Sequence, residues 1–398
     1  MNKRPRIAVL VESTRAYGRG LLAGIASYVR QHESWTIYWQ ERALRDPPPR
    51  WLRGWDGHGV IARIATHELA RALRALELPI VDLYGWLPNG DWPCVRTDNE
   101  RVARLAADHL LERGFRHIAY CGFKGVNYSE ERLPLFQQCI SDAGLRCHVY
   151  QYTRFPPSAD LAAREQQGVL YRNDLACWLA GLPKPVGILA CNDICGQQVL
   201  SACRELDLLV PDQVAVLGVD NDDVLCNLSD PPLSSVDVNC TRIGFEAAAM
   251  LSRMLRGRAA PRRTVLVEPR GIVARRSTDV LAIEDAEIAE VVRMIRARAC
   301  NGLTVAELLR SCSLSASSLE RRFTRLLGRS PKAEIVRVRL QHVVELLAEP
   351  ELSLSAIAAQ SGFKHPEYLS AVFKKCFGMS PGQYRRRILH ARGQREPA

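Results

Sequence analysis

Asp220 and Asn221 follow directly on the apolar run Val214–Val219, and Asn192 and Asp193 stand just past the run Val186–Ala190. Carboxylates and carboxamides are planar and offer several acceptors or donors in fixed geometry, the chemistry that holds a polyhydroxylated small molecule. Arg132, within SEERLPLF, and Arg19 and Arg63, near ends of apolar or helical runs, could add guanidinium forks to such a site. Each has an ordinary alternative: an Asn or Asp past a strand caps the next helix, and a loop arginine is normally solvated. A second group lies near the other end of the chain. Ser317, Glu320, Arg321 and Thr324 recur at three- and four-residue spacing and share one face if the segment is helical. A guanidinium on that face can pair bidentately with guanine in a major groove. Lys364, His365, Glu367, Ser370, Lys374 and Lys375, followed by Arg385, Arg386 and Arg387, form a further exposed set. Its lysines and arginines suit phosphates.

Other patterns fail on inspection. Gly18-x-Gly20-x-x-x-Gly24 has the wrong spacing for a dinucleotide fingerprint, and Ser13 to Tyr17 separate it from the preceding strand, so helix packing is the better account. Gly378-Met379-Ser380-Pro381-Gly382 has the form of a nucleophile elbow, but that motif needs a strand before the serine, whereas Tyr368 to Phe377 has helical periodicity. The 13 cysteines are scattered without a C-x-x-C pair, Cys191 and Cys195 included, and read as small buried side chains in a reducing compartment. No cofactor or metal is expected.

Behind these residues lies a composition that is globular and basic, with 398 residues and a net charge of +11. The charge is not evenly spread: residues 286–398 hold 19 Lys and Arg against 10 Asp and Glu, and the remainder is nearly balanced. A concentrated excess of this sign suits a polyanionic partner. The front is α/β in rhythm. Ile7–Val11, Gly59–Ala62 and Ile80–Leu83 read as strands, with Leu21, Leu22, Ile25, Ala26 and Val29 on a crossover helix and Leu69, Leu73 and Leu76 on the next. A helix over about 99–113, closed by Gly114, restarts the series at His117–Tyr120, and Val186–Ala190 and Val214–Val219 continue it. Two βα series predict two lobes of parallel sheet with crossover helices, and a cleft between facing strand ends. No segment is suited to spanning a bilayer, and the N-terminus lacks the apolar length of a signal peptide, so the cytoplasm is expected.

The back contains a repeat. Leu319, Phe323, Gly328, Ser330 and Pro331 recur 50 positions later as Leu369, Phe373, Gly378, Ser380 and Pro381, while Val305, Leu308 and Leu314 recur after 49 as Leu354, Ile357 and Phe363. Each copy reads as helix, turn, helix. The first has Ser315 as cap and Leu319, Phe323 and Leu326 facing inward; the second has Gly362 at the turn and Leu369, Val372, Phe373 and Cys376 as the buried stripe. Ile335 to Leu347 suits one long connecting helix.

Val95–Asn99, HLLERGFRHIAY, the long stretch from Ile188 to Asp222 and PPLSSVDVN resemble the periplasmic-binding-protein-like sensor domains of LacI-type regulators, over most of residues 1–276. That resemblance implies a sugar-binding acid at Asp220 and a ligand-facing arginine at Arg132. It departs in one respect: strand one begins at Ile7, so a DNA reader must lie elsewhere. Residues 286–388 resemble the AraC-type DNA-binding domain, keeping both G-x-S-P endings, the Gly362-Phe363 turn and Phe373-Lys374-Lys375, with Ser313 where glycine is common. We expect a sensor over 1–276, a linker over 277–285, an all-α DNA-binding domain with two helix-turn-helix units over 286–390 and a tail over 391–398. The order of the two parts resembles pentose-operon activators of enteric bacteria. It implies a cytoplasmic homodimer that binds double-stranded DNA and responds to a sugar-like effector, xylose being the leading candidate, although Lys124 to Glu130 depart from that pattern. The rivals are a ligand-blind architectural DNA binder and a sugar-processing enzyme, the latter without a phosphate loop, metal cluster or triad.

Overall fold

The computed structural model describes residues 4–87, 92–152, 172–259, 264–279, 285–347 and 351–386. The chain divides into two compact units, Met1–Ala282 and Ile283–Ala398.

In the first unit, β1 (Arg6–Leu10), α1 (Ala16–His32), β2 (Thr36–Trp39), β3 (Gly59–Ala62), α2 (His67–Arg74) and β4 (Ile80–Asp82) build a parallel sheet in the order β2-β1-β3-β4. Both faces of β1 are covered. Ile7, Val9 and Val11 pack toward α1, while Ala8 and Leu10 pack toward α2, which is why the strand is apolar at every position rather than at alternate ones. After β5 (Val95–Thr97) the chain enters a second lobe. There α3 (Asn99–Glu112), β6 (His117–Phe123), α4 (Asn127–Asp142), β7 (Cys147–Tyr152), α5 (Arg172–Gly181), β8 (Val186–Ala190), α6 (Asp193–Glu205), β9 (Val214–Val219), α7 (Asp223–Leu228) and β10 (Ser234–Asp237) follow. Gly114 sits at φ 83° after α3, in the left-handed region that suits a residue without a Cβ.

The chain then returns to the first lobe as α8 (Cys240–Leu255) and β11 (Val265–Val267), the latter parallel to β5, and goes back to the second as β12 (Gly271–Val273), antiparallel to β10. The second sheet runs β12-β10-β9-β8-β6-β7 around Tyr120, Phe115, Phe123 and Phe136. Among the described residues three segments therefore cross between the lobes, at Thr97–Asn99, Val238–Cys240 and Glu268–Arg270, and they are tied together: Asp98 N donates to Val267 O, Arg270 N to Asp237 O and Asn239 Nδ2 to Glu268 O. The glycine run is explained by packing. A Cβ on Gly24 would lie 2.0 Å from Thr241 O, and one on Gly244 2.0 Å from Leu21 O, so α1 and α8 touch backbone to backbone.

In the second unit α9 (Ala286–Arg298) precedes α10 (Val305–Ser311), α11 (Ala316–Leu327), α12 (Pro331–Leu346), α13 (Leu354–Gln360) and α14 (Pro366–Phe377). Thr304 and Glu307 form a capping box on α10, and Ser315 and Ser353 cap α11 and α13 through Ser318 N and Ala356 N. Two details differ from expectation. Leu327, not Leu326, completes the buried face with Leu319 and Phe323, because it lies one further turn along the same stripe. Cys376 is exposed; Phe377 stacks on Phe373 at 4.3 Å and leans on Tyr384, so the aromatic pair closes that end. Gly378 ends α14 at φ 71° and Ser380 Oγ accepts from Gln383 N, a helix-to-helix turn and no nucleophile elbow.

Among the described residues no helix is long and apolar enough to cross a membrane.

Candidate functional site

A cleft opens where the carboxyl ends of strands from both lobes face each other. The first lobe supplies Glu12, just past β1, Arg63, just past β3, and Tyr84, just past β4, with Tyr17 from the first turn of α1. Arg63 and Glu12 are ion-paired and nearly enclosed. The guanidinium carbon lies over two rings, 4.8 Å from the Tyr17 centroid and 5.0 Å from that of Tyr84. Tyr17 shares a 3.3 Å hydrogen bond with Thr97, and burial pushes its phenol up to about 12. Arg63 thus has fixed partners, which departs from the solvated loop arginine that its position suggested.

The second lobe supplies the acids and Arg132. Arg132 is 3% exposed; its Nη1 donates to Cys191 O at 2.6 Å, its Nε to Asn99 Oδ1 at 2.9 Å, and it lies 5.3 Å from the Tyr128 ring centroid. Asn192 caps α6 through Cys195 N and also donates to the Tyr128 hydroxyl at 2.9 Å, so the capping alternative holds while the side chain still lines the cleft. Asp193, 2% exposed, accepts from Ser235 Oγ at 2.5 Å and from Asp222 N at 2.8 Å. Burial and the nearby Asp220 push its carboxyl up to about 8. A Cβ at position 218 would come within 2.2 Å of Asp193 Oδ1, hence Gly218.

Asp220 lines the cleft at φ 110°, and Asn221 follows at φ 53°, two successive residues in a region that side-chain-bearing residues rarely adopt. Backbone strain of this kind collects at functional sites. Asn221 itself does not join the lining: its Oδ1 accepts from Arg275 Nη2 at 2.9 Å. Arg19 is also elsewhere, exposed and donating to Ser13 O at 2.9 Å, six positions back in the loop before α1. For Asn221 the cause is that being next to a strand end does not fix which way the next side chain turns; Arg19 lies in the first turns of α1, on its exposed side.

Several cleft atoms are buried without a hydrogen-bond partner: Glu12 Oε2, Arg63 Nε, Arg96 Nε and Asn127 Oδ1. Buried polar groups are normally paired, so these mark where a polar guest or water would be held. The sequence reading passed over Glu12, Tyr17, Tyr84, Asn127 and Tyr128. The strand-end rule that singles out Asp220 would have found Glu12 and Tyr84 if applied to β1 and β4.

In the second unit Ser317, Glu320, Arg321 and Thr324 are all exposed on α11, opposite Leu319 and Phe323. On α14 and its approach, Lys364, His365, Glu367, Lys374 and Lys375 are exposed and Ser370 is half-buried. His365 is the N-cap residue of α14 but makes no side-chain cap bond. Arg386 is exposed; Arg387 lies outside the described residues. Arg385 is half-buried, and its Nη2 donates to Leu352 O at 2.7 Å.

Three family models match the chain in succession: a XylR N-terminal domain over residues 6–100, a periplasmic binding protein-like domain over 107–278 and a helix-turn-helix domain over 308–387. The xylose operon regulatory protein of Escherichia coli K12 is 32% identical across 96% of this chain and 97% of its own length. That of Haemophilus influenzae Rd is 27% identical, across 96% and 98%. Among solved structures, a xylose-binding transcription activator XylR superposes with a TM-score of 0.75 at 30% identity, covering 97% of this chain and 98% of that one. A ribose-bound LacI-family regulator from Enterococcus faecium, 19% identical with a TM-score of 0.55 over 70% of this chain, shares the sensor fold.

Proposed function

From the premise that this chain belongs to the family of xylose operon regulatory proteins, we propose that it is a cytoplasmic, homodimeric activator of carbohydrate-utilisation genes whose effector is a pentose, xylose first among candidates. It is a DNA-binding transcription regulator and not an enzyme. The effector is held in the cleft by Asp220, Arg132, Arg63 and Asp193, with Glu12 and Asn127 satisfied by its hydroxyls. The sensor runs to about residue 279, past the expected boundary at 276, because Ser277 and Thr278 are buried against the second lobe; residues 280–284 are the linker, and the AraC-type reader begins at about Asp285, the cap of its first helix. Closure of the two lobes on the sugar shifts the population of sensor states, which requires that the sugar bind the closed state better than the open one. The reader then engages successive major grooves through α11 and α14, with Arg321 as base reader and Lys364, Lys374 and Lys375 on phosphates.

One observation carries the reading: 97% of this chain is collinear with a xylose-binding activator. The orphaned hydrogen-bonding atoms of both polarities in the cleft support it. A thermal-shift screen of pentoses and hexoses on the full chain tests it. A ligand at 100 times its Kd stabilises by about 2.7 kcal/mol, a shift of several degrees. A shift with D-xylose or another pentose, together with sugar-dependent binding to a duplex selected by the chain itself, is expected. No shift with any pentose overturns the effector assignment, and no salt-sensitive duplex binding overturns the regulator reading.

A further inference from the structure

The turn that follows Asp220 is wired to the segment by which the sensor leads into the DNA-binding unit. Arg275, its side chain 11% exposed, spreads its guanidinium over that turn. Nη2 donates to Asn221 Oδ1 at 2.9 Å and to Asp223 Oδ1 at 3.2 Å; Nη1 donates to Leu233 O at 2.9 Å and Nε to Asn227 Oδ1 at 3.2 Å. The backbone of Arg275 is fixed as well, since its N donates to Ser234 Oγ at 2.7 Å and its O accepts from the same hydroxyl at 2.9 Å.

Directly after Arg275, a 3-10 turn at Arg276–Thr278 is fastened to the second lobe. Ser277 and Thr278 are fully buried. Ser277 Oγ donates to Val216 O at 2.6 Å on β9, the strand that leads into Asp220. Thr278 Oγ1 donates to Ser234 Oγ and meets His109 Nε2 at 2.9 Å, and Arg113 Nε donates to Thr278 O. In sequence, only Asp279 and residues 280–284 separate this anchor from Asp285, the cap of the first helix of the reader. Resting on the effector reading above, the geometry points to Arg275 as a positioning residue: it passes a change in the Asp220–Asn221 turn, when the cleft fills, to the anchored exit segment. Asp220 and Asn221 sit at unfavourable positive φ, so the turn has another backbone state to relax into when a ligand in the cleft contacts Asp220. Arg275 grips both the turn and the exit segment, and relaxation at one end must move the other or break a bond to the guanidinium.

The test uses the full chain with D-xylose as probe and two variants, Arg275→Lys, which keeps the charge but loses the fork, and Asn227→Ala, which removes the acceptor of Arg275 Nε and the Asn227 bond to Asp223 Oδ1 but leaves the Arg275 bonds to Asn221 and Asp223 in place. Arg275→Lys is expected to leave D-xylose affinity and sugar-free duplex affinity within about threefold of the parent, while the sugar-induced change in duplex affinity falls about tenfold, within the range of known coupling. Asn227→Ala is expected to keep the full response. A retained response in Arg275→Lys, or an equal loss in Asn227→Ala, overturns the proposal and makes Arg275 a structural tie. A second arm needs no sugar: amide exchange in Arg275→Lys should rise in both Asn221–Asp223 and Ser277–Asp279. A rise in one segment alone overturns the link. If the parent chain ignores D-xylose, the effector assignment fails and the exchange arm still decides this one.

Discussion

Arg322 donates to both carboxylate oxygens of Asp285, at 2.6 and 2.9 Å, and reaches Glu287 at 2.6 Å with its remaining nitrogen. Asp285 at the same time caps α9 through Ile288 N, and Glu287 accepts from Ser313 Oγ at 2.7 Å in the turn between α10 and α11. One side chain on α11 therefore joins the start of the reader to both the turn and the helix that presents Arg321. It also gives Ser313 a role in that turn, since its hydroxyl is the donor to Glu287.

If this clamp sets the angle of α11, Arg322→Ala and Asp285→Asn should each weaken binding to a selected duplex, and the double variant should be no weaker than the worse single one. Arg322→Lys should not rescue, because an ammonium cannot fork onto two oxygens. Additive losses in the double variant would show that Arg322 acts on its own, as a direct DNA contact.

Arg321, next in sequence but facing outward, should behave differently. Its replacement by Ala should cost about 1–3 kcal/mol on the selected duplex and relax preference at one base pair, as loss of a bidentate contact does. Anisotropy titrations against a set of single-position duplex variants measure this. Equal weakening on every duplex, with a shallower salt slope, would move Arg321 to a phosphate.

These two arginines show what the sequence could and could not disclose. Periodicity placed Arg321 outside and Phe323 inside, because a helix face is set by 3.6-residue geometry alone. It could not distinguish Arg321 from Arg322, half a face apart, since the partner of Arg322 lies 37 positions away in another helix. The same divide runs through the cleft. The strand-end rule found Asp220, Asn192, Asp193 and Arg63, but it also proposed Asn221, whose side chain is taken by Arg275. It passed over Asn127 and Tyr128, which open a helix and follow no apolar run. The sheet order and the three lobe crossings depend on contacts between distant segments and had no local signal.

Asp220→Ala should abolish the sugar-induced thermal shift, with sugar-free duplex affinity retained, since the carboxylate lies in the cleft and far in sequence from the reader. Calorimetry with D-xylose and duplex titration of the same preparation check both halves. An undiminished shift would remove Asp220 from the site.

The pH dependence of sensor stability offers a test of Asp193. Its carboxyl is raised to about 8 by burial and by Asp220, well above the unfolded value of about 4. The native state then holds a proton that the unfolded chain has lost, so the contribution is complete below about pH 4 and falls as pH rises to about 8. His109 acts in the opposite sense: burial and Arg113 lower its imidazole to about 3, so its contribution is complete above about 6.5 and is lost as pH falls. The two slopes oppose one another between about pH 4 and 6.5, and Asp193 acts alone from there to about 8. All 7 tryptophans lie before residue 180, so urea unfolding followed by tryptophan fluorescence reports the sensor and not the reader. Stability should fall from pH 6.5 to 8 in the parent chain, and Asp193→Asn should flatten that interval while leaving the acid-side loss in place. An Asp193→Asn chain with the parent's slope above pH 6.5 would mean that Asp193 is ionised in the folded cleft, and its bonds to Ser235 and Asp222 would then be those of a carboxylate.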